Sequence, residues 1–144
     1  MKTVRLGPAD AALARTMFAM MAAVFSEPTG VLSDEYIAHL LGRADFWALA
    51  AIEGDEVVGG LTAHTLPMTR AEGSEVFLYD LAVRPDRQRT GIGRSLVARL
   101  REGAAACGAD NVFVPADDED DHAIEFYRAL GGSPSPVTIF TFEH

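Results

Sequence analysis

Apolar Leu13, Met17, Met20, Met21 and Val24 recur at three- and four-residue intervals between Asp10 and Phe25, which predicts an amphipathic helix. "TVRL" before it reads as a short strand ended by Gly7 and Pro8, and Ser33, after the turn-rich "SEPTGVLS", is the expected N-cap of a second helix through Leu41. The pattern then changes. "FWALAAIE" (46–53) reads as a buried strand, Gly54-Asp55 as a tight turn and "EVVGGLTAHTL" as the hairpin partner. After the loop "TRAEGSE", "VFLYDLAV" (76–83) is an apolar run with one acid inside it, a buried strand stopped by Pro85. Helical spacing returns at Leu96, Val97, Leu100 and Ala104 and ends at Gly108. "NVFVPA" (111–116) is a further strand, Ala123, Phe126, Tyr127 and Leu130 form one face of a short helix closed by Gly131, and "VTIFTF" (137–142) is the expected last strand. Elements in this order predict an α/β domain around a central sheet.

With 144 residues and no repeat or low-complexity linker, residues 1–144 are expected to form one domain. The formal net charge of −9 argues against a nucleic-acid binder and suits a cationic partner. No apolar run has membrane-spanning length and "MKTVRLGPAD" lacks a signal-peptide core, so no membrane association and a cytoplasmic location are expected. The single Cys107, expected to be buried packing, fits a reducing compartment. Neither it nor the four histidines has metal-ligand spacing, so no metal is expected.

Against that acidity, "RPDRQRTGIGRSL" (84–96) gathers four of the twelve basic residues around Gly91 and Gly93. The turn lies between a strand and a helix, where unpaired N–H groups and the helix dipole attract anions. It lacks the Lys-Ser/Thr of a nucleotide-binding P-loop, and Leu96 stands where a dinucleotide fingerprint needs its third glycine.

The remaining pattern, Gln88-x-x-Gly91-x-Gly93 after "LAVRPD", resembles the acetyl-CoA motif of the GNAT superfamily of N-acetyltransferases. "DDHAIEFYRALGG" is similar to that family's later segment: Ala123, Phe126, Tyr127, Leu130 and Gly131 match, while Asp120 replaces the usual Asn and Gly132 the usual Phe. The resemblance covers about residues 4–142. It implies the GNAT fold, a mixed and mostly antiparallel sheet flanked by about four helices, with acetyl-CoA as co-substrate. By the same resemblance, backbone from Gln88 through Arg89, Thr90, Gly91, Ile92, Gly93 and Arg94 to Ser95 cradles the pyrophosphate. Leu81, Ala82 and Val83 meet the pantetheine arm and thioester carbonyl, Tyr127 protonates the departing sulfur, and Arg87, Arg89 or Arg94 reach the phosphates.

A lone carboxylate inside "VFLYDLAV" is costly to bury unless paired or functional, and Asp80 directly precedes the carbonyl-binding segment. It is therefore the candidate general base, directly or through water, with Glu75 the alternate; a structural acid bonded to a strand end is the competing reading. The run Asp117, Asp118, Glu119, Asp120, Asp121 reads either as a polycation site or as a solvated loop with Asp120 or Asp121 capping the next helix.

Within the superfamily, "SEVFLYDLAV", "RQRTGIGRSLVARL" and "VPADDEDDHAIEFYRALG" are most similar to the type I aminoglycoside 3-N-acetyltransferases, the gentamicin-acetylating group. That similarity implies antibiotic resistance by acetylation of a polycationic aminoglycoside. Glu75, Tyr79, Asp80, Asp117, Asp118, Asp120 and Asp121 would then lie on the acceptor side. Alternatives are an enzyme acting on a polyamine or other small amine, and a non-catalytic acetyl-CoA-binding regulatory domain. "VTIFTF" is an edge that could pair across an interface in a homodimer.

Overall fold

The structure is a computed structural model and describes residues 1–28 and 30–144. Its elements are β1 (Lys2–Arg5), α1 (Ala11–Val24), α2 (Asp34–Gly42), β2 (Phe46–Glu53), β3 (Glu56–Pro67), β4 (Ser74–Val83), α3 (Ile92–Ala106), β5 (Asn111–Phe113) and α4 (Asp121–Ala129), with short 3-10 turns at Pro8–Asp10 and Pro85–Arg87. This is the α/β fold expected, with a five-stranded sheet in the order β1-β2-β3-β4-β5. The first four strands pair antiparallel, and β5 runs parallel to β4. Ser33 accepts the Tyr36 N–H at 3.1 Å as the N-cap of α2. No helix among the described residues is long and apolar enough to cross a membrane.

The period-two alternation of β2 sorts the core into two layers. Trp47, Leu49 and Ala51 face Leu96 and Leu100 of α3, while Phe46, Ala48 and Ala50 face Met17 and Met21 of α1 with Ile37 of α2. The helices lie close to the sheet because β3 carries Gly59-Gly60. A Cβ on Gly59 would stand 2.7 Å from Ile92 Cγ2, and one on Gly60 would stand 2.6 Å from Met17 Cγ. Each glycine thus admits a helix on one face.

Two expectations at the C-terminal end are corrected. β5 covers only Asn111–Phe113, because its pairing with β4 ends at the Phe77–Phe113 register and Pro115 has no N–H to continue a ladder. The segment 137–142 is not a strand, and residues 131–144 are all exposed. A strand exists only by pairing; this segment is paired with none of the described residues, and Pro134 and Pro136 just before it have no N–H to begin a ladder.

Candidate active site

Where β5 stops, β4 keeps an open edge. Arg84 donates its N–H to the Val58 carbonyl on the β3 side at 2.9 Å, and the Val83 carbonyl accepts from the Gln88 side chain at 3.2 Å on the opposite side. Strand alternation therefore turns the backbone groups of Leu81 and Val83 to the open edge and those of Ala82 toward β3. Just before them, Thr62 pairs with Asp80 and Ala63 with Leu78, so Tyr79 is an extra, unpaired residue in a bulge. The bulge re-aims the strand at the acid.

The glycine turn has the geometry of an anion cradle. Gly91 caps α3 at φ +88, and Arg89, two residues earlier, is also left-handed at φ +65. Thr90 holds the bend by donating its hydroxyl to the Arg87 carbonyl at 2.6 Å. The first N–H groups of this 15-residue helix have no partner within it, and its dipole is positive there. Gly93 serves packing: a Cβ would stand 3.2 Å from the Phe126 ring, so its absence lets α4 lie against the start of α3. No pattern in the sequence announced that coupling.

The arginines divide into two pairs. Arg84 binds Asp86 at 2.7 Å and Glu56 at 3.4 Å, and Arg87 binds Glu53 at 2.8 Å, which ties the loop to the β2–β3 hairpin. Arg87 is thus engaged on the hairpin. Arg89 and Arg94 are exposed and have no acid partner among the described residues.

Tyr127 projects from the half-buried face of α4 and packs edge-on against Phe126 with ring centroids 5.1 Å apart. Burial, then the negative charges of Asp120 and Asp80, push its phenol from the ordinary 10.0 up to about 12, so it holds its proton. Asp80 is half-buried, and loss of solvent raises its carboxyl above the ordinary value, making it a stronger base than an exposed aspartate. The structure thus brings Asp80, Asp120 and Tyr127 together. A carboxylate of raised basicity and a protonated phenol lie near an open strand edge, an arrangement chemically suited to general acid–base transfer at a carbonyl bound to that edge.

The acidic run has backbone roles as well. Asp120 accepts the Ala123 N–H at 3.0 Å as the N-cap of α4, the capping role offered by the loop reading, and Asp117 accepts the Glu119 N–H at 2.9 Å. Asp118 and Asp121 are exposed, Asp121 in the first turn of the helix. Gly131, at φ +94, and Gly132, whose N–H reaches the Tyr127 carbonyl at 3.0 Å, close the other end. A Cβ on Gly132 would press on that carbonyl at 3.0 Å, which accounts for glycine there.

Two other candidate residues and the cysteine have surroundings of their own. Glu75 sits at the paired end of β4, where it accepts from the Asn111 amide at 3.4 Å, roughly 16 Å along the strand from Asp80. Tyr79 is beside Asp80 but 60% exposed, edge-on to His64 at 5.7 Å. Cys107 is exposed at the end of α3, contrary to its expected burial; it follows the last helical turn, where the chain reaches the surface.

The family model for the acetyltransferase (GNAT) family matches residues 15–131. No curated protein matches the chain at a significant level. Among solved structures, an aminoglycoside acetyltransferase, meta-AAC0020, from an uncultured soil metagenomic sample and in complex with sisomicin, is 30% identical with a TM-score of 0.95, covering 99% of this chain and 95% of its own. A second, HMB0005, also an aminoglycoside acetyltransferase from an uncultured soil metagenomic sample, is 36% identical with a TM-score of 0.94, covering 99% and 97%. A ribosomal-protein-alanine N-acetyltransferase from Brucella melitensis shares the fold, at 18% identity and a TM-score of 0.79 over 100% of both chains.

Proposed function

The chain belongs to the GNAT acetyltransferase family, and from that premise we propose that it moves the acetyl group of acetyl-CoA onto the 3-amine of an aminoglycoside, conferring resistance to that antibiotic. The donor set fits the co-substrate. The outward backbone of Leu81 and Val83 suits an extended amide-bearing arm, and the N-terminal N–H groups of α3, with Arg89 and Arg94, suit a pyrophosphate. Acetyl-CoA supplies an activated thioester carbonyl.

The protein's own groups do the rest. Asp80 takes a proton from the acceptor ammonium, freeing the lone pair that forms the new C–N bond. Backbone N–H groups of β4 stabilise the oxygen as charge gathers on it. As the C–S bond breaks, Tyr127 gives its proton to the sulfur; the acylated nitrogen sheds its second proton to the resulting tyrosinate, and Asp80 releases the first to solvent. A phenol held at about 12 is protonated when needed, and the raised carboxyl of Asp80 offsets the rise that a negative site imposes on a bound amine. The acceptor follows from charge and kinship: exposed Asp118 and Asp121 on a chain of net charge −9 favour a polycation, and the sisomicin-bound relative is 30% identical along nearly its whole length.

The observation that carries this reading is the convergence of Asp80 and Tyr127 beside the open edge of β4. Free-thiol release from acetyl-CoA with sisomicin, gentamicin or spermidine tests it, with NMR of the product to locate the acetyl group. Release with an aminoglycoside and acetyl on the 3-amine is expected. Acetyl on another nitrogen overturns the regiochemistry, release with spermidine alone overturns the acceptor, and binding without release overturns catalysis.

A further inference from the structure

We propose that Thr62 is a positioning residue for the base: its hydroxyl, through one bridging water, holds the Asp80 carboxylate where it meets the acceptor amine. The role in catalysis rests on the acetyl-transfer reading, whereas the contact itself does not.

The bulge creates the pair. Ala63 pairs with Leu78, and an unbroken ladder would next set Thr62 against Tyr79 and Leu61 against Asp80. Leu61 belongs to the buried layer under α3, where a carboxylate would be stranded among apolar side chains. With Tyr79 left over, Thr62 pairs with Asp80 instead. Residues directly opposite share a face of the sheet, with Cβ atoms about 4.5–5.5 Å apart. That face is the one toward α1 and α2. Ala48, which pairs with Thr62, and Ala82, two residues beyond Asp80, both lie in the layer with Met17 and Met21. One extra residue thus turns the acid over and sets it against a hydroxyl.

The chemistry of the pair is complementary. Thr62, 9% exposed, is the one buried residue with a polar side chain among the described residues. The hydroxyls of Thr16, Thr65 and Thr90 each bond another group of the protein, whereas that of Thr62 bonds none among the described residues. No side-chain oxygen there is sealed off without a partner, so the Thr62 hydroxyl still reaches solvent. Asp80 is half-buried, and neither a hydrogen bond nor a charge partner offsets its loss of solvent among the described residues. A carboxylate in that state needs a donor, and across this spacing one water joins two side chains. Held by the hydroxyl, that water donates to the charged form of the acid and fixes its direction.

Few other groups compete for the acid. α1 packs on this face and brings one ionisable side chain, Arg15, which binds the Leu32 carbonyl and Asp34. From β3, His64 faces the same way but packs between the rings of Phe46 and Tyr79. α4 contributes Tyr127, whose phenol feels both Asp80 and Asp120. β4 itself adds Tyr79 beside the acid and Glu75 at its far end, and α3 covers the opposite face.

Thr62→Val keeps the shape and removes the oxygen, while Thr62→Ser keeps the oxygen and removes a methyl. In thiol release at saturating acetyl-CoA and sisomicin, Thr62→Val should lower kcat about tenfold, the effect of one lost hydrogen bond to a charged group. The acidic limb of its kcat–pH profile should move to higher pH by about one unit. Acetyl-CoA affinity by calorimetry and the melting temperature should not fall. Thr62→Ser should keep the wild-type limb and most of the turnover. A threonine that only packs gives the reverse order, valine sound and serine impaired; that order, or a wild-type limb in Thr62→Val, overturns the proposal. Carboxyl carbon NMR of Asp80, assigned against Asp80→Asn, reads the same contact without turnover. A higher titration midpoint in Thr62→Val than in wild type supports it, and equal midpoints overturn it. A wild type that releases no thiol with any amine overturns the acetyl-transfer reading alone, and the NMR titration then decides Thr62.

Discussion

Tyr127→Phe isolates one oxygen atom. The ring keeps its edge-on packing with Phe126 at 5.1 Å, and the hydroxyl leaves no buried polar partner stranded among the described residues. Stability at neutral pH should therefore move by less than about 0.5 kcal/mol, as for substitutions that disturb no packing or hydrogen bond. Catalysis should respond very differently. A positioned general acid contributes about 10²–10⁴ in rate, and at about 1.4 kcal/mol per tenfold that is roughly 3–5 kcal/mol of barrier. The assay is initial-rate thiol release at saturating acetyl-CoA and aminoglycoside, with calorimetry for acetyl-CoA affinity and a thermal melt for the fold. A lower kcat with unchanged Kd and Tm is expected. The pH dependence gives a second readout: with its pKa raised from 10.0 to about 12, the phenol binds its proton more tightly in the folded state. That stabilisation is complete below pH 10 and is lost as pH climbs toward 12, so wild type should lose stability across that window and the phenylalanine variant should not. Turnover within tenfold of wild type would refute Tyr127 as the proton donor.

Three further outcomes follow from the geometry. Gly91→Ala puts a side chain at φ +88, a strain of about 1–2 kcal/mol, and should weaken acetyl-CoA binding by calorimetry more than Arg94→Ala does. Gly60→Val drives branched carbon into Met17, whose Cγ already stands 2.6 Å from the Cβ position, and should lower stability by about 1–3 kcal/mol in urea unfolding. Asp120→Asn keeps the cap on α4 and should hold the melting temperature, whereas Asp120→Ala should lose about 1 kcal/mol.

Periodicity located α1, α3 and α4, and the Ser33 cap located α2; the face of α1 carrying Met17 and Met21 and the face of α3 carrying Leu96 and Leu100 are both complete in the local sequence. The anion turn was legible because Gly91 is the start of a helix and needs its left-handed backbone. Asp80 stood out because a carboxylate in an apolar strand is costly. What failed to show depends on partners distant in the chain. Four arginines look alike in sequence, yet Arg84 and Arg87 are committed to Glu53 and Glu56, which only the sheet brings near. Gly59-Gly60 reads as a weak point in a strand, and its purpose needs helices on both faces. "VTIFTF" has strand chemistry and no strand, because a strand needs a paired partner that its own residues do not specify, and the segment is paired with none of the described residues.

The most direct test of the acid–base account is kcat for Asp80→Asn with a saturating aminoglycoside, read beside acetyl-CoA affinity and thermal stability. Desolvation raises the Asp80 carboxyl, so the folded state loses stability as pH rises through that group's range; a neutral amide removes the cost. The variant should melt no lower than wild type at pH 7, bind acetyl-CoA equally well and turn over at least about 100-fold more slowly. Wild-type turnover by a folded Asp80→Asn enzyme would contradict the assignment of Asp80 as the base.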